Sequence, residues 1–407
     1  MENHAALAVT FALFALYAFF GRRLEASIFS GPLLFTALGL GFAMAGWAPF
    51  VAADRQLVEF LATATLVVVL FRDAANIRFS SVLAQRAIAF TALRLLFMGI
   101  PLIIAAGTLA AFAVLPGIGI YTALVLAILL TPTDAALAQP VFLNESLPEV
   151  PREAIDAESG LNDGLCLPLL IITLSFATEA PRGLGGHSLF FVEQIVLGPA
   201  IGLAVGILGA LVTAYADRHD YSYPVGRTPV MVVLAGLAYF LSETVGGNGF
   251  LAAFMAGLAF GFRLPRDEVE RASGFAKTEG SLLIDLTFLL FGAVILPRAF
   301  DAPAWSALAY AVVSLTLVRM LPVFLVTIGS GQDIRSRLFM GWFGPRGLAS
   351  VLYLVVVVDR SGFTGAQTVT DIAVYTILLS IVLHGVTAPF AAPIFFGGRA
   401  VTRQSAE

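Results

Sequence analysis

Charge is scarce in this chain, and cysteine, lysine and histidine are scarcer. Of its 407 residues only 12% are Asp, Glu, Lys or Arg, where a soluble domain carries about 25%. Water is therefore not the solvent for most of its surface. A single cysteine, Cys166, excludes an internal disulfide, and four scattered histidines offer no metal-ligand cluster. His384 lies within a late apolar segment, where packing is its expected role. Signal-peptide, transit-peptide and low-complexity patterns are all missing, so the first apolar run, 5–20, is expected to stay as a helix. The longest cytoplasmic loop, read at 263–277, is too short for a soluble catalytic domain. Any chemistry takes place within a bilayer. Membrane lipid is the expected surrounding, and nucleic acid is not an expected partner.

What is present in abundance is apolar: 59% of the residues, with a mean hydropathy of +0.91. The fold class is an all-α integral membrane protein. A spanning helix needs roughly 20 mostly apolar residues. Breaks at charges, Gly and Pro predict about 13 segments: 5–20, 28–50, 57–71, 87–113, 118–143, 151–178, 189–214, 226–243, 247–262, 278–296, 303–329, 336–358 and 370–397. The eighth and ninth are parted only by "GGNG" at 246–249, so 12 is the alternative count.

Basic residues set the orientation, because cytoplasmic loops collect them. Arg55, Arg182, Arg298 and Arg360 fall on the amino-terminal side. Sixteen others, Arg22, Arg23 and Lys277 among them, fall opposite. The N-terminus is thus expected outside and the C-terminus in the cytoplasm of a cell (inner) membrane. Three arginines remain inside apolar segments, Arg94, Arg319 and Arg346, and are expected to sit with buried carboxylates.

Those carboxylates are concentrated. "TPTD" (131–134) interrupts segment five and "DAESGLND" (156–163) opens segment six. An ionisable group at the bilayer centre costs a few kcal/mol or more, which makes each one a functional candidate. At about 100° per residue, Glu158, Asn162, Ser159 and Asp163 project at about 0°, 40°, 100° and 140°, on one helix face. Oxygen-bearing groups beside a carboxylate suit a hard cation. The competing reading is a polar seam gluing helices together, for which Ser, Thr and Asn are the usual residues. Pro132 has no N–H and crowds the carbonyl of Ile128, so the helix must kink or break. Thr131 and Thr133 can satisfy some freed groups, and Asp134 can neutralise the positive end of the second half-helix.

The second half carries a counterpart, "GPRG" (344–347), with Pro345 mid-segment and Arg346 suited to a half-helix C-terminus. Interrupted helices five and twelve at matching places point to two inverted repeats, segments one to six and eight to thirteen, with the site where they cross. Arg319 needs a partner, and Glu158 is the one expected. Asp163 is then left free to change its protonation state. Burial favours the neutral acid and an adjacent cation the ionised one. A site that crosses loaded with either exchanges the two.

At these residues the chain resembles the monovalent cation:proton antiporters, the sodium/proton exchanger family. "TPTDAALAQPVF" and "ESGLNDG" carry the resemblance, and "LVVVLFRDA" (66–74), "GFLAAFMAGLAFG" (249–261), "FLLFGAVIL" (288–296), "LVRMLPVFL" (317–325) and "GPRG" extend it in order. The resemblance implies that Asp163 binds ion and proton, and that Asn162 shapes that helix. It implies further that Ser159 and the backbone around Thr133, with Asp134 directly or through water, complete the coordination. The transported Na⁺, or Li⁺ or K⁺, would then be held by Asp163, Ser159 and Thr133, with no cofactor. Glu158–Arg319 becomes a structural ion pair, and Arg346 steadies the crossed breaks. An Asn-Asp pair resembles the electroneutral, one-for-one branch. The implied fold is a mobile core sliding like an elevator against a dimer-forming scaffold. By that analogy 1–52 is scaffold, 57–178 core, 189–262 linker and scaffold, and 278–397 core.

Departures accompany the likeness. Thr131 stands where many relatives have Asn, and the large cytoplasmic tail of some members is not expected here. Asp156 is expected at a rim, and Asp73 beside Arg72 at the cytoplasmic mouth; Asp285 and Glu59 have no predicted partner. Two other functions fit the sequence less well. An organic-anion symporter sharing the repeat layout would not be expected to carry the "ESGLND" oxygens. An intramembrane aspartyl protease, whose acids share a proton, leaves Pro132 and "GPRG" without a role.

Overall fold

The computed structural model describes residues 2–25, 27–47, 55–77, 85–178, 196–221, 229–301, 305–359 and 362–397. Among them every regular element is helical. In order these are α1 (Glu2–Glu25), α2 (Gly31–Met44), α3 (Arg55–Ala75), α4 (Arg86–Val114), α5 (Ile120–Leu129), α6 (Ala135–Phe142), α7 (Glu149–Thr178) and α8 (Gly198–Arg218). They continue as α9 (Val230–Thr244), α10 (Gly249–Arg263), α11 (Arg266–Leu290), α12 (Trp305–Val326), α13 (Ile334–Trp342), α14 (Leu348–Asp359) and α15 (Ala366–Phe396). Five of them, α4, α7, α8, α12 and α15, are long and apolar enough to cross a membrane by length and composition. Outward-facing Phe97, Leu208, Val212, Phe240 and Leu317 are well exposed. In water that surface would be costly, but hydrocarbon tolerates it.

Prolines shape three of the long helices in the same way. α4 passes through a π turn at Leu95–Gly99, α12 through one at Ser314–Val318, and α11 runs into one at Phe291–Ile295. Each precedes a proline, Pro101, Pro322 and Pro297. The carbonyl four residues before each proline (residues 97, 318 and 293) falls inside the π turn. That carbonyl has lost its N–H partner and meets the ring. Widening one turn relieves the clash; α4 and α12 continue through it, whereas α11 ends there in a turn at 296–297.

Residues 266–277 correct the sequence reading. Taken there as the longest cytoplasmic loop, they form the first turns of α11. Their polarity hid a good helix start: Pro265 precedes it, Asp267 and Glu268 sit in the first turn, and Arg266–Glu270 and Asp267–Arg271 pair at i,i+4 spacing. The split at "GGNG" is observed. Gly246 turns the chain at φ 79°, and Asn248 caps α10 by accepting the Leu251 N–H at 3.0 Å.

Small residues bring the helices together, as expected where lipid removes the hydrophobic drive for helix association. A Cβ on Gly202 or Gly206 of α8 would overlap the carbonyls of Ala252 and Ala256 on α10. On the other side of α10, Gly257 and Gly261 lie as close to the carbonyls of Phe71 and Ala75 on α3. Gly39 of α2 and Gly292 after α11 interlock likewise. These tight seams cross the expected domain boundary. Segments three and ten, assigned to the core by resemblance, pack against segments nine and two of the scaffold. The side chains of the four arginines placed on the outer side, and of Glu59, lie outside the described residues.

Candidate ion site at two crossed helix breaks

The first break separates α5 from α6 at residues 130–134. Pro132 prevents α5 from continuing, and each carbonyl freed there finds a donor. Ala127 O accepts from Thr131 Oγ1 at 2.7 Å, and Ile128 O from Thr131 N at 3.2 Å. Leu129 O accepts from Ser350 Oγ at 3.0 Å, and Leu130 O from Arg346 Nε at 2.7 Å. Arg346 lies in the second break, residues 343–347, and Ser350 in the first turn of α14 just after it, both more than two hundred positions away.

The traffic runs both ways. Asp134 N–H donates to Pro345 O at 2.8 Å. Its carboxylate Oδ2 accepts the Leu348 N–H at 2.7 Å, at the N-terminus of α14. The acid therefore serves α14, the half-helix that follows the second break. Arg346 does the complementary job at the C-terminal ends: Nε reaches Leu130 O beyond α5, and Nη1 reaches Gly344 O beyond α13. An anion at a positive helix end and a cation at two negative ends are each in the favourable place. "GPRG" also needs its glycines. A Cβ on Gly347 would overlap Asp134 Oδ2, and one on Gly344 would overlap Arg319 Nε.

Against this crossing lies the polar face of α7. Thr133 Oγ1 is 2.7 Å from Ser159 Oγ and accepts from Asn162 Nδ2 at 2.7 Å. The structure thus brings Thr133, Ser159 and Asn162 together through the Thr133 side chain. Asp163 is one position on. Its carbonyl accepts from Tyr353 Oη of α14 at 2.7 Å. Its carboxylate Oδ1 is buried without a hydrogen-bond partner among the described residues, and so is Asn162 Oδ1. Buried acceptors are rarely left so. Asn162 is bonded to Thr133, and Asp163 follows it on the α7 face that carries Ser159, so two such acceptors and two hydroxyls are gathered at this end of the crossing. Tyr353 was missed by the sequence reading, since nothing in an apolar helix marks a tyrosine 190 residues downstream as a neighbour of Asp163.

Glu158 and Arg319, each 1% exposed, form a two-pronged pair, Nη1–Oε1 2.5 Å and Nη2–Oε2 2.6 Å. Fork-to-fork geometry is the strong form of such a pair.

Other sequence candidates lie elsewhere. Arg94 is not with the carboxylates. Half-buried, it stacks on Phe90 and donates to Ile328 O at 2.5 Å, at the end of α12. A long arginine stem lets its head leave the apolar layer. Asp73 pairs with Arg72 at 2.8 Å, partly exposed, and this pair stays close enough to Asp163 for their charges to act on it. Asp156 is exposed on α7. Asp285 is buried in α11, where its Oδ1 and Tyr17 Oη converge on Gly31 at the start of α2.

The sequence profile of the sodium/hydrogen exchangers, transmembrane, matches residues 9–392. The chain belongs to the sodium/hydrogen exchanger family. Among similar proteins, a Na⁺/H⁺ antiporter of Schizosaccharomyces pombe is 24% identical over 308 residues, 68% of this chain and 65% of that one. A K⁺/H⁺ antiporter, NhaP2, of Shewanella sp. is 26% identical over 266 residues, 64% of this chain and 45% of that one. The matches thus span about half to two thirds of these relatives' length. The sodium proton antiporter MjNhaP1 of Methanocaldococcus jannaschii has a similar fold, with TM-score 0.75 at 20% identity, covering 98% of this chain and all of that one. Family and fold make this chain an integral-membrane member of an antiporter family whose characterised members are transporters.

For this family member, Gly347→Ala tests the crossing directly. The added methyl must push Asp134 off the Leu348 N–H, so the thermal midpoint is expected to fall by an amount equivalent to about 1–3 kcal/mol. An unchanged melt would mean that the two breaks are not locked together at this point.

Proposed function

We propose that this protein is a secondary antiporter that exchanges Na⁺, with Li⁺ and K⁺ as rival cargoes, for H⁺. The observation that carries the reading is the buried, unpartnered Oδ1 of Asp163, on the α7 face whose Ser159 and Asn162 hold the Thr133 hydroxyl. A carboxyl in such a place has two ways to avoid an uncompensated charge: take a proton, or take a cation completed by neutral oxygens. Either load leaves the site with the same net charge, so one cation crosses for one proton. Asn162 fixes Thr133, Asp134 supports the ligand loop from behind, and Glu158–Arg319 and Arg346 hold the frame while Asp163 alone changes partner.

In this proposal the two repeats move the site by an elevator step. The tight α3–α10–α8 and α2–α11 seams favour a mobile bundle made of α4–α7 and α12–α15, narrower than the division inferred from resemblance. The remaining helices then form the scaffold, through which two copies pair, in a cell membrane with the N-terminus outside.

Reconstituted flux with Na⁺, Li⁺ and K⁺ in turn, with and without an imposed voltage, tests this. Proton efflux should follow one or more of these cations and be indifferent to voltage. A flux that voltage drives would end the one-for-one stoichiometry. Absence of cation-coupled proton movement would end the antiport reading itself.

A further inference from the structure

In an unbroken helix the Arg346 N–H would donate to the carbonyl of Trp342, four residues back. At the second break this bond is severed, and both ends meet one neighbouring helix, the Trp342 carbonyl also accepting the Gly344 N–H at 2.8 Å. Arg346 N–H donates to Ser380 Oγ at 2.6 Å, while the Trp342 carbonyl lies 2.9 Å from His384 Nε2. Ser380 and His384 stand at i,i+4 on α15, on the same face, 0% and 1% exposed. Ser380 Oγ in turn lies 3.2 Å from His384 Nδ1, whose other neighbour is the Ser380 carbonyl at 3.0 Å.

Two acceptor-only carbonyls face the ring, Trp342 O at Nε2 and Ser380 O at Nδ1, and the ring proton serves the break when it sits on Nε2 and is donated to Trp342 O. Ser380 Oγ already receives the Arg346 N–H, so its own hydrogen is available to Nδ1. The result is a continuous chain from Arg346 N–H through the serine hydroxyl and the imidazole to Trp342 O. Trp342 is held from its indole side as well, by Nε1–H to Thr387 Oγ1 at 3.0 Å. Packing, the role expected of His384 from sequence, leaves out both of its hydrogen bonds.

We propose that Ser380 and His384 are positioning residues for the exchange site. Inserted into the severed Trp342–Arg346 hydrogen bond, they hold the second break at the width where Pro345, Arg346 and Leu348 engage the first. Neither touches the oxygens of Thr133, Ser159 or Asp163. Their influence runs through the Arg346 main chain to Leu130, and through Leu348 to Asp134. The inference rests on the antiport reading for its transport arm, and its second arm is independent of transport.

The transport arm compares Ser380→Ala, His384→Phe and His384→Gln in proteoliposomes, with Na⁺ as the probe cation. Loss of one hydrogen bond at the break is expected to raise the KM for Na⁺ about tenfold in the first two, with the maximal rate per folded protein little changed. A purely structural role would lower the amount of folded protein and leave KM alone. In His384→Gln the carboxamide N–H can still reach Trp342 O, so KM should return to within about twofold of wild type. The second arm is amide hydrogen exchange of the peptide spanning 343–349: faster in Ser380→Ala and His384→Phe, and near wild type in His384→Gln. If wild type exchanges no cation for protons, the antiport reading falls and the hydrogen-exchange arm still decides this proposal. Wild-type KM and protection in Ser380→Ala, which removes a single atom and should fold, would overturn it. So would a His384→Gln variant as impaired as His384→Phe.

Discussion

Asp163→Asn is expected to reduce cation-coupled proton flux in proteoliposomes to the level of empty vesicles, while the protein melts at or above the wild-type temperature. The two halves of that expectation have one cause. The Oδ1 of Asp163 has no hydrogen-bond partner among the described residues, so an amide in its place forfeits no such bond there. It also removes an ionisable group whose presence within a bilayer costs a few kcal/mol. An amide cannot take up and release a proton near neutral pH, and it lacks the charge that draws a cation out of water. Retained cation-dependent proton movement would show that the exchanging group lies elsewhere. A protein that also fails to fold would show that Asp163 is part of the frame.

The other large effect belongs to the Glu158–Arg319 pair. Either Glu158→Ala or Arg319→Ala leaves a full charge, nearly devoid of solvent contact, without its counter-ion. Breaking a buried pair in this way costs about 3–5 kcal/mol. Detergent-solubilised single variants should therefore melt far below wild type and give little folded protein. Arg319 also backs directly on Gly344, so its loss opens space beneath the second break. Replacing both residues together by apolar side chains of similar volume should recover most of the stability, because no charge is then stranded. Single variants that melt like wild type but do not transport would put the pair in the transport cycle and out of the frame.

The pairing of Glu158 with Arg319 could be read from the sequence for the same reason that breaking it is costly: so few charges sit within apolar segments that a buried cation has few possible partners. That logic failed for Arg94, which it grouped with the carboxylates. An arginine side chain is long enough to carry its charge to the carbonyl of Ile328 at the helix end, and sequence position alone does not reveal this. The prolines were legible too, but the response to them was not. Pro132 and Pro345 sit at full breaks, whereas Pro101, Pro297 and Pro322 are relieved by π turns. The difference lies in whether neighbouring helices supply donors for the freed carbonyls, as Ser350 and Arg346 do for Leu129 and Leu130. The start of α11 was missed because apolarity was the criterion. Its first turns are held instead by i,i+4 charge pairs in water.

From the order of residues alone came the solvent, the segments, the two interruptions and the one-face clustering of Glu158, Ser159, Asn162 and Asp163. Burial cost and helical periodicity act over a few residues and leave a local trace. Tertiary structure alone decided that Asp134 serves α14, that Tyr353 meets the Asp163 carbonyl, and that Ser380 and His384 fill a bond broken some forty positions before them. Hydrogen bonds of this kind join groups that are already polar wherever they stand, and only the packing of whole helices chooses which of them come within 3 Å.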